Sequence, residues 1–137
     1  MKLINTFATE LPWACEPVAP QPLRAPRLLH LNQGLLRELG LDGIGEADWL
    51  ACCGLGQPLP GMQPVAQVYA GHQFGGYSPR LGDGRALLLG EQLAPDGQRW
   101  DLHLKGAGKT PFSRFGDGRA VLRSSIREYL AGEALHA

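Results

Sequence analysis

The sequence predicts an α+β fold: a small antiparallel sheet, a long C-terminal helix, and an extended proline-rich segment ahead of both. Three observations carry this expectation. Two β-prone runs, 85–93 and 98–105, are joined by Ala94-Pro95-Asp96-Gly97, and Asp-Gly between such runs signals a hairpin. From Arg119 onward, Leu122, Ile126 and Leu130 recur at i, i+4 intervals, the spacing of one helix face. Prolines at 12, 17, 20, 22 and 26 forbid a helix over residues 12–26 and favour an extended strap lying on the rest of the chain.

The elements follow in order. Leu28, Leu29, Leu31, Leu35, Leu36 and Leu39 have helical spacing, with Gly40 placed to end the helix. Residues 47–53 allow a further turn or two, and 54–64 reads as a loop. Residues 65–69 are β-prone, whereas 71–84 is too rich in glycine for a strand interior and reads as a loop or bulged strand. In the second hairpin strand Trp100, Leu102 and Leu104 alternate with Asp101, His103 and Lys105, so Lys105 belongs to the polar face. The final helix is expected from about residue 119 and is still running at the chain's end.

With 137 residues the chain has the length of one domain. Its 44% hydrophobic and 19% charged residues are ordinary for a globular protein and unlike a disordered one. Thirteen basic and thirteen acidic residues balance, which argues against nucleic acid or an anionic membrane as partner. The balance is uneven along the chain: residues 1–78 hold 4 basic and 6 acidic groups, and 79–137 hold 9 and 7. Eight of the eleven prolines lie in residues 1–64, and we divide the chain there into a wrapping segment, 1–64, and a glycine-rich functional part, 65–137. Cys15, Cys52 and Cys53 have neither a disulfide framework nor metal-ligand spacing. No secretory or membrane-spanning stretch is visible, so a cytoplasmic location is expected.

The pentapeptide Gly-Asp-Gly-Arg-Ala occurs at 82–86 and again at 116–120. The stretches between the copies do not resemble each other, which excludes a solenoid. Glycines flanking an aspartate allow positive φ and converging N–H groups, a concavity suited to an anion, and the following arginine adds a fork of donors for phosphate oxygens. Gly82, Gly84 and Arg85 in the first copy, and Asp117 and Gly118 at the expected start of the last helix, are therefore candidate phosphate contacts. The competing reading is a plain turn with a capping aspartate. Lys109-Thr110 has the ending of a phosphate loop, but the required first glycine falls at His103. His72 and His103 lack partners at ligand or triad spacing. The strongest pattern is Lys105 on a strand followed by Glu128 inside a helix, the pairing by which kinase-like lobes orient nucleotide phosphates.

Residues 68–92 (VYAGHQFGGYSPRLGDGRALLLGEQ) and 101–137 (DLHLKGAGKTPFSRFGDGRAVLRSSIREYLAGEALHA) closely resemble the N-terminal part of the selenoprotein O (SelO/YdiU) family. The resemblance continues less sharply through 1–67. It implies the N-lobe of a protein-kinase-like fold, an incomplete domain, that binds ATP in inverted orientation and transfers AMP to Ser, Thr or Tyr hydroxyls of proteins. By motif it implies nucleotide contacts from Gly82, Gly84, Arg85, Asp117 and Gly118, a phosphate-binding Lys105, and Glu128 as the partner that orients Lys105. It also implies that the catalytic base and the Mg²⁺ ligands lie in a C-lobe beyond Ala137, so no catalytic residue is expected here and little activity from this chain alone. Two other readings stay open: phosphoryl rather than adenylyl transfer, and a non-catalytic docking or decayed fragment. A missing lobe would leave an apolar surface near Leu102, Leu104, Ile126 and Leu130, open to self-association.

Overall fold

A computed structural model describes residues 1–136. In chain order the elements are β1 (Leu3–Ile4), α1 (Thr6–Glu10), a 3₁₀ turn (Pro12–Ala14), β2 (Cys15–Pro17), α2 (Gln33–Glu38), α3 (Glu46–Leu55), β3 (Val65–Gln67), β4 (Gly71–Gln73), β5 (Gly76–Ser78), β6 (Ala86–Leu93), β7 (Arg99–Lys105) and α4 (Leu122–His136). Helices and antiparallel sheet are mixed, as α+β requires.

The sheet is built around β6. Strand β7 pairs along one edge, from Ala86 opposite Lys105 to Leu93 opposite Arg99. The other edge is shared by β3, with Val65 opposite Leu88, and β1, with Ile4 opposite Glu91. Strand β2 pairs outside β3 and ends at Pro17, a residue that an edge strand tolerates because its missing N–H faces no ladder. Residues 1–64 thus contribute two strands, β1 and β2, to the sheet. A bulge at Leu89 shifts the β6–β7 register, and the following Gly90 has φ +143° where the N-terminal segment crosses. A Cβ there would stand 2.9 Å from Asn5 Oδ1.

β6 is buried on both faces, which explains a run of apolar residues where an alternating pattern would serve a half-exposed strand. Leu87 and Leu89 join Leu36, Leu39, Leu41, Trp49, Cys52, Met62 and Ala66 in the main core under α2 and α3. Leu88 faces a smaller cluster with Cys15 and Val65, closed by Phe7 and Ala8 of α1. Burying Leu41 and Leu87 completely contributes about 1.5–3 kcal/mol each. β7 alternates as the sequence pattern requires, with Trp100, Leu102 and Leu104 against the core and Asp101, His103 and Lys105 exposed.

Three sequence expectations need correction. Helix α2 begins after Leu31, because Asn32 Oδ1 accepts from Leu35 N at 3.0 Å and caps it there; Gly40, at φ +67°, follows its end as expected. The last helix starts at Leu122 rather than near Arg119, since Gly118 is left-handed at φ +72° and Asp117 Oδ1 takes the Arg119 N–H at 2.9 Å. Within 71–84 the chain forms a separate two-stranded ribbon, β4–β5, with Gln73 opposite Gly76. The proline-rich strap does lie on the body: Val18, Gln21 and Leu23 donate to the carbonyls of Pro64, Ala107 and Gly54.

Candidate functional site

The loop 82–85 leads into β6, and its geometry is set by a second loop packed on it. Asp83 is 8% exposed; its Oδ2 accepts from Gln67 N at 3.0 Å and its Oδ1 from the Tyr69 hydroxyl at 2.9 Å. Partial burial, the bond to Asp83 and that carboxylate's charge push the Tyr69 hydroxyl up to about 12. The amides of Gly82 and Asp83 donate to Tyr69 O and Gln67 O, so two of the loop's donors are already used. Among the described residues the amides of Gly84 and Arg85 have no backbone acceptor.

The covering loop is 110–113. Thr110 Oγ1 donates to Asp83 O at 2.6 Å, and Ser113 Oγ donates to Gly84 O at 2.7 Å. Thr110 Oγ1 also accepts from Phe112 N, and Ser113 Oγ from Thr110 N. The buried Phe112 ring lies directly on Gly82, whose φ is +62°, and the Phe112 carbonyl would be 3.0 Å from a Cβ at Gly84. Close approach of the second loop therefore demands both glycines, whatever else they contact.

Lys105 ends β7 at the same corner. Its Nζ donates to both carboxylate oxygens of Glu128, at 2.6 and 2.7 Å, which brings the strand lysine and the helical glutamate together. The hydrogen bond from Lys105, aided by the charges of Lys105, Arg85 and Arg127, outweighs desolvation and holds the Glu128 carboxyl below its ordinary range. Two further polar contacts link α4 to α2: Asn32 Nδ2 donates to Glu133 at 2.9 and 3.0 Å, and His136 Nε2 stands 3.7 Å from Glu38 Oε1. No residue of α4 among those described is buried, and Leu122, Ile126 and Leu130 on it are exposed. Leu102 and Leu104 instead pack against the main core.

The second Gly-Asp-Gly-Arg copy does different work from the first. Gly118 crosses Gly108 so closely that a Cβ would fall on the Gly108 carbonyl, and Gly108 N donates to Gly118 O at 3.1 Å. Asp117 closes its own turn through Arg119 N. Arg119 holds the strap: Nη1 donates to Gln21 O at 2.9 Å and Gly106 O at 3.4 Å, and Nη2 to Pro22 O at 2.9 Å. The shared pentapeptide thus serves two local tasks.

An open cavity of about 630 Å³ unites the corner, within the usual range for small-ligand sites. Gly82, Gly84, Arg85 and Lys105 line it, with Glu128 reached through Lys105; Asp117 and Gly118 lie outside the lining. Sequence reasoning missed Asp83, Phe112, Ser113 and Arg114. Arg114, at φ +54°, reaches across to Gln73 Oε1 at 3.3 Å and is the third cation of the lining after Arg85 and Lys105. Asp83 is the one carboxylate in the lining; counted with Glu128 on Lys105, it leaves the three cations one charge in excess, so the corner is locally cationic in a chain of zero net charge. Among the described residues no three His, Cys, Asp or Glu side chains cluster closely enough to hold a metal. No helix among them is long and apolar enough to cross a membrane.

Comparison with known proteins adds the context for this corner. The family model described as protein adenylyltransferase SelO matches residues 5–137. Over its full length the chain is 93% identical to the protein nucleotidyltransferase YdiU of Aeromonas salmonicida and 90% identical to that of Aeromonas hydrophila. It is 54% identical over 99% of its length to the protein of the same description from Myxococcus xanthus. The chain spans 28–29% of the length of these relatives.

Proposed function

The chain belongs to the protein adenylyltransferase SelO family, and from that premise we propose that it forms the nucleotide-binding lobe of an enzyme that transfers AMP from ATP to Ser, Thr or Tyr hydroxyls of proteins. The observation that carries the reading is the bidentate Lys105–Glu128 pair at the edge of a cationic cavity. A lysine fixed by a helical carboxylate can present its ammonium to phosphate oxygens in one orientation. The succession of sheet, strand lysine and helical glutamate supports a kinase-like N-lobe.

In this reading Arg85, Lys105 and Arg114 neutralise the triphosphate, and the amides of Gly84 and Arg85 are the donors left for its oxygens. Gly82 and Gly84 let the loop lie close to the ligand and to residues 110–113 at once. Asp117 and Gly118 contribute by fixing the crossing that leads into α4, with nucleotide contact a further role for them. Transfer forms a bond from the acceptor oxygen to the α-phosphorus and breaks the α–β phosphoanhydride, with pyrophosphate leaving and the hydroxyl proton passing to a base. That base and the residues binding Mg²⁺ would come from outside this chain; Mg²⁺ would screen the phosphates and assist the leaving group. The exposed stripe Leu122–Ile126–Leu130 supports a docking face on α4, for the remainder of a longer polypeptide or for a second copy.

Phosphoryl transfer would use the same Lys105–Glu128 pair, so the test labels the two ends of ATP separately. A polypeptide of the relatives' full length carrying this chain is incubated with an acceptor protein and ATP labelled at either the α- or the γ-phosphate. Label from the α position alone on the acceptor is expected; label from the γ position alone would replace adenylyl by phosphoryl transfer.

A further inference from the structure

The ribbon β4–β5 bears a residue that the fold does not need. Its turn, Phe74-Gly75, has φ +54° and +78°, the signs of a type I′ turn, for which Asn-Gly is the low-cost pair. A bulky aromatic in left-handed backbone is strained, and Phe74 recovers nothing by packing, being 96% exposed. The combination recurs across the cavity mouth, where Arg114 is also left-handed at φ +54° and the next residue, Phe115, is fully exposed. Arg114 and Gln73 are hydrogen-bonded and both line the cavity, while Phe74 and Phe115 stand outside its lining. β4 and β5 pair with each other in a sheet of their own, which leaves each an outer edge among the described residues.

We propose that the ribbon and Phe115 form a docking lip for the acceptor polypeptide. An extended segment adds its backbone to an outer edge of the ribbon, and the apolar side chains flanking its hydroxyl residue rest on Phe74 and Phe115. This rests on the reading above, in which the acceptor is a protein hydroxyl. The aromatics' place outside the lining favours a partner arriving from solvent over the base of the nucleotide. A base within the cavity would meet the aromatics that do line it, Tyr69 and Phe112. Continuity with the cavity through Gln73 and Arg114 puts the docked hydroxyl beside the phosphate site.

The test titrates the chain with acetyl-Gly-Gly-Leu-Thr-Phe-Gly-Gly-amide, with a control peptide bearing glycine in place of Leu and Phe, and separately with ATP and Mg²⁺, following backbone amides by NMR. The variant is Phe74→Asn with Phe115→Ser; asparagine suits the turn, so the ribbon is kept while both rings are removed. The expected result is saturable shifts over 72–78 and 113–116 with the first peptide, weakened about tenfold by the control peptide or by the variant, with ATP affinity changed less than about twofold. Peptide binding unaltered by the variant, or shifts elsewhere, overturns the lip. A tenfold loss of ATP affinity with peptide binding intact reassigns the rings to the base and also overturns it. Should the wild-type chain bind the peptide but no ATP, the nucleotide reading fails and the lip stands; ATP binding without peptide shifts refutes the lip alone.

Discussion

Replacing Gly82 by alanine separates what the first Gly-Asp-Gly loop does for the fold from what it does for a ligand. At φ +62° an alanine costs about 1 kcal/mol in backbone conformation. Its Cβ would lie 2.7 and 2.8 Å from Phe112 Cδ1 and Cδ2, closer than real contacts allow, so the ring must leave its place. Displacing that buried ring forfeits about 1.5–3 kcal/mol. We expect Gly82→Ala to lose about 2.5–4 kcal/mol, and Phe112→Ala about 3 kcal/mol through the void it leaves. In the double variant the clash is gone and the backbone term alone adds to the loss from Phe112→Ala. The two losses therefore fall short of additivity by about 1.5–3 kcal/mol. Urea unfolding followed by the fluorescence of Trp49 and Trp100, which pack in the main core, measures all four states. Additivity within about 0.5 kcal/mol would refute the argument. So would a Gly82→Ala chain as stable as wild type but deficient in ATP binding, because the glycine would then be serving the ligand rather than Phe112.

Three further outcomes are expected. Arg119→Ala removes three donor contacts to the carbonyls of Gln21, Pro22 and Gly106, and because water can replace part of them the loss should be about 1.5–3 kcal/mol by urea unfolding, with proteolysis quickened within the strap; an unchanged cleavage pattern would contradict the clamp. Glu128 has a depressed folded pKa, so its contribution is present above the unfolded value and fades as pH falls through the folded one; carbon-detected NMR should find its carboxyl titrating below the ordinary range, and Lys105→Ala should move it upward. Tyr69 is shifted the other way, so its contribution is complete below about 10 and is lost as pH rises toward about 12; absorbance titration should show one tyrosine ionising late, and Tyr69→Phe should remove that phase while leaving Asp83 Oδ1 short of a donor.

What was legible in the sequence follows the physics of each element. The β6–β7 hairpin announced itself because Trp100, Leu102 and Leu104 alternate strictly and Asp96-Gly97 marks the turn. The Lys105–Glu128 pair was visible as residue types on a strand and a helix, and the fold closes it to hydrogen-bonding distance. The β4–β5 ribbon was hidden because its turn puts Phe74 where asparagine or aspartate is usual, and Gly75 is only one of several glycines in 71–84. The start of α4 was misplaced because helical spacing runs on through Arg119, whereas the left-handed Gly118 and the Asp117 side chain decide the boundary. Identical pentapeptides gave no hint that Arg85 lines the cavity while Arg119 grips the strap; that division depends on the long-range partners Gln21 and Pro22. Arg114 and Asp83 escaped for the same reason, since their partners Gln73, Gln67 and Tyr69 are distant in sequence or unremarkable by type.

The proposed function depends on nucleotide phosphates binding at the corner formed by Arg85, Lys105 and Glu128. Titration of ATP with Mg²⁺ into the 137-residue chain, followed by backbone amide NMR and repeated on Lys105→Ala, tests it directly. We expect saturable shifts clustered at 82–85, 103–105 and 113–114, and an affinity reduced at least about tenfold in the variant, equivalent to about 1.4 kcal/mol. A dispersed spectrum that ATP leaves unchanged at those amides, or a Lys105→Ala chain that binds as tightly as wild type, would contradict it.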